Sequence, residues 1–387
     1  MNNGLLVKEI ELNANLGRKK IKDRVINYEV MHGDILVAEI NTLGQVILWN
    51  EKFSPYDLYL EQGQDFDVQI NNLNNFYHWC SSRVLSLDRK YAKEILNSIG
   101  VAQAVTDRDR AEISLSYHCV SLTDTYWVKV KDENVSYETI NLYDNPLNDA
   151  IVALPLRGKQ MTVTNHELAP DLSTKGCFPK AWIRRDGGFI LLKDGGEDAV
   201  KRELLASKIC QCFAFRQVEY REGYFDGEMV TESQIITSKE YSIVSKIAFD
   251  IYASNHDLNT IEECVRIDNM TYYGMNIIDY LVGNTDRHPE NWGFLVDNRT
   301  NEYVSIYPLM DFNQSFYSYD TIEGANCQTV YPKKMTQREA AVEAVKCVGL
   351  NQIKEIDEAA FKNAMEWKDM FYKRLNVLKM VDKPQGI

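Results

Sequence analysis

Asp286 and Asn291 stand five positions apart in the run Leu281-Val-Gly-Asn-Thr-Asp286-Arg-His-Pro-Glu-Asn291-Trp-Gly-Phe-Leu-Val. A carboxylate and an amide at this spacing, on a loop between a helix and a strand, are what phosphoryl transfer requires. Asp286 would orient an incoming hydroxyl and accept its proton, and Asn291 would help to hold magnesium on the phosphates. His288 lies inside the same loop and would order it by hydrogen bonding rather than act as the base. The same residue types also make ordinary solvated turns, so the spacing needs support from elsewhere in the chain.

That support comes downstream. Asn298-Arg-Thr-Asn301 forms a turn, Tyr303 to Met310 reads as a second strand, and the strand ends at Asp311-Phe312-Asn313. The order is carboxylate, amide, β-hairpin, then Asp-Phe at a strand end, where the D-F-G aspartate of protein kinases binds magnesium. Asn313 replaces the glycine, and Asn also tolerates the left-handed backbone. Asn291 and Asp311 are therefore the candidate metal ligands.

Upstream, Gly188-Phe-Ile-Leu-Leu-Lys193 is a short strand ending in lysine, and Glu203 follows ten positions later in a helix. A strand lysine bridged to a helix glutamate orients the nucleotide phosphates in a small kinase lobe, with Glu197 as a rival partner. Ser173-Thr-Lys-Gly-Cys-Phe-Pro-Lys180 places Ser173, Thr174, Gly176 and Lys180 where backbone N–H groups could approach phosphate oxygens. It is not the G-x-x-x-x-G-K-[ST] pattern, so P-loop chemistry is not supported. A base-contacting hinge is expected near Gln234 to Thr237, with Gln234 and Ile236 as its candidate contacts.

The elements that must position these residues change character along the chain. Glu29–Leu36 and Gly44–Asn50 read as strands, Asp88–Ile99 as a helix closed by Gly100, and Ser114–Lys131 as strand, turn, strand. Thr123-Asp-Thr-Tyr-Trp-Val-Lys has no catalytic reading from spacing. Strands at Ala181–Ile183 and Gly188–Lys193 lead into a helix from Glu197 to Phe215, and strands follow near Tyr220, Glu228–Thr237 and Tyr241–Ser245. From Leu258 helices dominate: one carries Tyr273, Ile277, Tyr280 and Leu281 on one side and stops at Gly283. The last spans Phe361–Met380, with Phe361, Met365, Phe371, Leu375 and Leu378 as its apolar stripe. Strands first and helices later predict an α+β, two-lobed, protein-kinase-like fold. The expected divisions are 1–160, an N-terminal mixed α/β subdomain; 161–245, a small lobe; and 246–387, a helical lobe.

Composition excludes other classes. A net charge of −13 opposes direct nucleic-acid binding and binding to anionic membranes. No apolar run approaches the ~18 residues a membrane span needs, and Met1–Asn13 shows no signal-peptide pattern. Eight scattered cysteines without C-x-x-C spacing and six histidines without H-E-x-x-H argue against a zinc site. Cys210 and Cys212 read as buried free thiols, and the cytoplasm is the expected compartment. His32-Gly-Asp34 mimics the start of a small-molecule kinase loop, but Glu39 stands where its asparagine would be.

Together, Gly-Asn-Thr-Asp286-Arg-His-Pro-Glu-Asn291, Asp311-Phe312 and Ser173-x-x-Gly176-x-x-Pro179-Lys180 resemble the HipA-like serine/threonine kinases, bacterial toxin-type kinases of toxin–antitoxin modules. The resemblance covers residues 165–380; the first 150 match only in position. It implies Asp286 as catalytic base, Asn291 and Asp311 as magnesium ligands, Lys193 as the ATP phosphate-binding lysine and Ser173–Lys180 as the loop over the nucleotide. Phe178 departs from the glutamine usual there. The resemblance further implies a protein substrate carrying Ser or Thr, a small DNA-binding antitoxin as partner, and autophosphorylation of Ser173 that silences the enzyme. Two other readings stay open: a small-molecule or lipid kinase with the same loop, although Asn284 stands where antibiotic kinases carry histidine, and a non-catalytic nucleotide-binding module.

Overall fold

The computed structural model describes residues 25–84, 106–145, 179–350 and 353–382. Strands β1 (Asn27–His32), β2 (Ile35–Asn41), β3 (Val46–Leu48) and β4 (Tyr126–Val130) pair antiparallel in the order β3-β2-β1-β4. Val30, Val37, Ile40 and Val128 face inward against Phe76 and Trp79 of helix α1 (Phe66–Ser82), and helix α2 (Asp107–Ser116) packs beside α1. Asp65 caps α1 by accepting the Asp67 N–H, and Thr106 with Asp109 forms a capping box on α2.

One expectation changes here. Ser114 closes α2 instead of opening a strand, and the chain turns at His118 and Cys119, both at positive φ, before β4 begins. The expected helix Asp88–Ile99 lies outside the described residues.

The second sheet contains β5 (Lys180–Arg185), β6 (Gly188–Lys193), β7 (Tyr220–Phe225) and β8 (Glu228–Gln234), antiparallel in the order β5-β6-β8-β7. Helix α3 (Glu197–Cys210) packs on it and buries Ala199, Val200, Glu203, Leu205, Ala206 and Ile209. α3 stops at Cys210, five residues before the expected end at Phe215, because Cys212 and Phe213 turn back onto the Ile209 and Cys210 carbonyls.

A third sheet, β9 (Tyr241–Ser245), β10 (Gly293–Asp297) and β11 (Glu302–Ile306), has the order β11-β10-β9. Strand β9 thus joins the hairpin that follows Asp286 and Asn291. Helices α4 (Lys246–Asn255), α5 (Thr260–Val282), α6 (Gln337–Val348) and α7 (Met365–Val381) complete this half. Its core holds Phe249, Met275, Ile278, Leu281, Phe294, Phe312, Phe371, Leu375 and Leu378. Met365, expected in the α7 stripe, is 59% exposed, because α7 begins there and Phe361 reaches the core from a preceding 3-10 turn. Antiparallel sheets and separate helices make the fold α+β. No helix among the described residues is long and apolar enough to cross a membrane.

Candidate active site

The loop that carries Asp286 and Asn291 begins where α5 ends. Gly283 closes that helix in the left-handed conformation, with φ of 64°. A Cβ at that position would lie 2.5 Å from the Tyr319 ring, so both the backbone and the space require glycine. Asn284 then ties three pieces together. Its Nδ2 donates to Asp279 Oδ1 at 3.2 Å and to the Asp311 carbonyl at 3.3 Å, and its Oδ1 accepts the Asp286 N–H at 3.2 Å. Asn291 Nδ2 donates to the Asp286 carbonyl at 2.8 Å, closing the loop and leaving the amide oxygen as the end offered to the cleft.

The Asp286 side chain is 37% exposed, and its Oδ1 lies 3.8 Å from His288 Nε2. Burial pushes its carboxyl above the ordinary value, Asp311 adds to the rise, and His288 opposes it. His288 Nδ1 accepts the Glu290 N–H at 3.2 Å, which orders the loop from within.

Across the cleft, Lys193 ends β6 with its Nζ 3.1 Å from Glu203 Oε1 and 2.5 Å from Asp311 Oδ1. Glu197, the rival partner, pairs instead with Lys201 at the surface. Glu203 is itself fully bonded: Oε2 accepts from Thr231 Oγ1 at 2.8 Å, and Oε1 also accepts the Phe312 N–H at 3.3 Å. Burial alone would lower the Lys193 ammonium, but Asp311 and Glu203 hold its pKa above the ordinary value. Burial would likewise raise Asp311, yet the Lys193 and Lys180 charges hold it below. Asp311 adopts positive φ, 61°, and its N–H donates to Tyr220 Oη at 2.9 Å. Lys180, first residue of β5, is the register partner of Lys193.

Several of these groups line one cavity of about 250 Å³; Asp286 and Glu203 lie outside its lining. Lys180, Lys193, His288, Asn291 and Asp311 line one part of it, and Gln234 and Ile236 line another, beside Trp182, Leu191 and Met310. The apolar part suits a flat base and the charged part suits phosphates. Ser173, Thr174 and Gly176 lie outside the described residues. Asn291 and Asp311 offer hard oxygen donors, and no cluster of three His, Cys, Asp or Glu side chains forms among the described residues. Such a set fits magnesium, which takes one or two protein oxygens and completes its shell with water and phosphate; it does not fit zinc.

One residue outside the motif roles dominates the geometry. Arg287, 2% exposed, donates from Nε and Nη2 to Asp279 at 2.8 and 2.9 Å. Its Nη1 reaches the Asn291 carbonyl at 3.1 Å and the Met310 carbonyl at 2.5 Å, and its guanidinium lies over the Phe312 ring. It therefore fixes the loop that carries Asp286 against the segment that carries Asp311. That segment lies beyond the end of β11 at Ile306, rather than at the end of a strand running to Met310 as the sequence suggests. An aspartate eight positions before an arginine, on one helix and its following loop, was the available signal.

No family model matches the chain. It is 26% identical over 130 residues to the serine/threonine-protein kinase CtkA of Helicobacter pylori, a stretch covering 30% of this chain and 40% of that protein. The match thus spans less than half the length of this curated relative. Among solved structures, the H. pylori proinflammatory kinase CtkA aligns at TM-score 0.40 and 17% identity, over 52% of this chain and 90% of that one. A chain from the Shewanella oneidensis MR-1 toxin–antitoxin complex of HipA, HipB and operator DNA aligns at TM-score 0.56 and 11% identity, over 93% of this chain and 100% of that one. The chain resembles the HipA-like serine/threonine kinases: in fold across most of its length, and over a shorter stretch in sequence to a named kinase.

Proposed function

We propose that this protein is a magnesium- and ATP-dependent phosphotransferase, a serine/threonine protein kinase of the HipA-like type. The observation that carries this reading is Lys193, bridged at once to Glu203 and Asp311 in the cavity that Asn291 also lines. That is the small-lobe and metal-loop arrangement by which kinases orient nucleotide phosphates. The sequence similarity to a serine/threonine-protein kinase of H. pylori supports it.

Catalysis on this reading is positioning and charge compensation. Lys193 holds the α/β-phosphates, and Lys180 opposite it adds positive charge. Asp286 aligns the acceptor hydroxyl and takes its proton as the oxygen–phosphorus bond forms and the bond to ADP breaks. Asn291 and Asp311 would hold magnesium, which when bound neutralises charge on the transferred phosphoryl group. Ser173 accepts phosphate in a self-silencing reaction. The chain acts in the cytoplasm as the toxin of a pair, with a small DNA-binding antitoxin as partner; HipA shares a complex with HipB and operator DNA in the solved structure.

Incubation with labelled ATP and magnesium, with Asp286→Asn alongside and phosphosite mapping afterwards, tests the reading. Phosphate on Ser173, Thr174 or another Ser or Thr in wild type alone supports it. Phosphatase-treated wild type that binds ATP yet incorporates nothing into itself or a protein panel overturns it, in favour of a small-molecule acceptor or a non-catalytic role.

A further inference from the structure

Among the described residues, the loop between α2 and β4 brings the N-terminal subdomain to the cavity, beside Tyr56, Asp57, Ser82 and Arg83. Ser121, Leu122, Thr123 and Asp124, between α2 and β4, line the same cavity as Lys193 and Asp311. The loop is built around Asp124: its Oδ1 accepts the Tyr126 N–H at 2.9 Å and its Oδ2 accepts from Thr123 Oγ1 at 3.2 Å. Ser121 Oγ accepts the Thr123 N–H at 3.1 Å. Arg83, directly after α1, clamps Asp124 with two bonds of 3.0 and 2.7 Å and also donates to the Cys119 and Tyr126 carbonyls. Burying a guanidinium requires such full satisfaction, and the result is a rigid loop.

That loop holds the linker between β8 and β9. The Leu122 carbonyl accepts from Thr237 Oγ1 at 2.5 Å, and the Thr123 carbonyl accepts the Ile243 N–H at 2.9 Å. Thr237 is buried, and its neighbours Gln234, Ile235 and Ile236 face the cavity.

We propose that the loop Ser121–Tyr126, clamped by Arg83, braces the linker Gln234–Thr237 and so makes the N-terminal subdomain a determinant of nucleotide affinity and base selectivity. The inference rests on the nucleotide-binding reading above. A purine base is read by backbone groups whose placement must be good to a fraction of an ångström. In this chain a side-chain hydroxyl tied to another subdomain fixes that placement.

Thr237→Val removes the tie while keeping the shape. The Leu122 carbonyl still accepts from Tyr143 Oη at 3.2 Å, so no buried acceptor is orphaned and the variant should fold. Fluorescent N-methylanthraniloyl-ATP and its GTP counterpart are titrated with magnesium into wild type, Thr237→Val and Thr237→Ser, with urea unfolding in parallel. Thr237→Val is expected to raise the Kd for the ATP probe about three- to tenfold and to narrow the ATP/GTP ratio, while Thr237→Ser stays within about twofold. A Thr237→Val protein that binds both probes like wild type overturns the brace alone. So does a loss equal for both nucleotides that merely follows falling stability. Wild type that binds neither probe sinks the nucleotide reading, and the brace with it.

Discussion

Arg287 and Asp279 form a buried two-point ion pair, with Nε and Nη2 at 2.8 and 2.9 Å from the two carboxylate oxygens. Asp279 sits in the last turn of α5 and Arg287 one residue past Asp286, so the pair fastens the loop that carries Asp286 to the helix that precedes it. The remaining guanidinium nitrogen is spent on the Asn291 and Met310 carbonyls. A lysine could not reproduce this fork of donors.

Breaking the pair on one side leaves a buried charge uncompensated. Asp279→Ala is expected to cost about 3–5 kcal/mol of stability, measured as the shift in a urea unfolding midpoint. Arg287→Lys keeps the charge but loses the geometry. It should lower the phosphotransfer rate far more than it lowers nucleotide affinity; equal losses in both would place Arg287 outside catalytic positioning.

Gly283→Ala probes the same junction from the helix side. The left-handed backbone costs a non-glycine residue about 1–2 kcal/mol. The added Cβ would also meet the Tyr319 ring at 2.5 Å and Arg374 Nη1 at 3.0 Å. Arg374 donates to the Tyr280 carbonyl, so relieving the clash disturbs the end of α5. Destabilisation together with slower transfer is expected, by chemical denaturation and a kinase assay; a variant with wild-type stability would show that the turn can move freely.

What could be read from the sequence follows how local each signal is. Asp286, Asn291 and Asp311 could be picked out as candidates because the loop, the hairpin and the segment after it run consecutively in the chain, although β11 ends before Asp311. Lys193 and Glu203 were legible as a strand end and the helix after it, but only the fold could choose Glu203 over Glu197, since that depends on which face of α3 is buried. The Arg287 network was not read: it joins a helix, a loop and the segment after β11, and only the Asp279–Arg287 spacing within one stretch of chain hinted at part of it. Helix α1 was missed because Asn71, Asn72, Asn74 and Asn75 dilute its helix propensity, although Phe76 and Trp79 bury its inner face. Thr106-x-x-Asp109 was a usable start signal for α2 that the strand reading of Ser114 overrode.

Asp286 carries a pH prediction. Only its ionised form can accept the hydroxyl proton, and burial holds its pKa above the ordinary 3.8. The rate of transfer should therefore fall as pH drops through a value above 3.8, seen as an acid limb in the kcat profile. The stability sign is opposite. A raised carboxyl pKa means the folded state binds the proton more tightly, so ionised Asp286 costs stability above that pKa and nothing below the unfolded value of about 3.9. Asp286→Asn should thus abolish transfer while melting no lower than wild type at pH 7. A variant that unfolds more easily at neutral pH would show that the carboxylate holds the fold rather than waits for substrate.

Lys193 gives the sharpest separation of stability from chemistry. Its ammonium lies between Glu203, which is buried, and Asp311, which lines the cavity with it. Lys193→Met leaves the two carboxylates facing each other without a cation, which should cost about 3–5 kcal/mol and abolish transfer. Glu203 also accepts from Thr231 and from the Phe312 N–H, so Glu203→Gln can keep an oxygen in place while removing the like charge. The double variant Lys193→Met/Glu203→Gln should recover part of the lost stability, giving a non-additive cycle in urea unfolding. It should remain inactive, because the cation that would hold the phosphates is still absent. Recovery of transfer in the double variant would mean that Lys193 serves only to neutralise its neighbours, and Lys180 would become the candidate phosphate-binding cation.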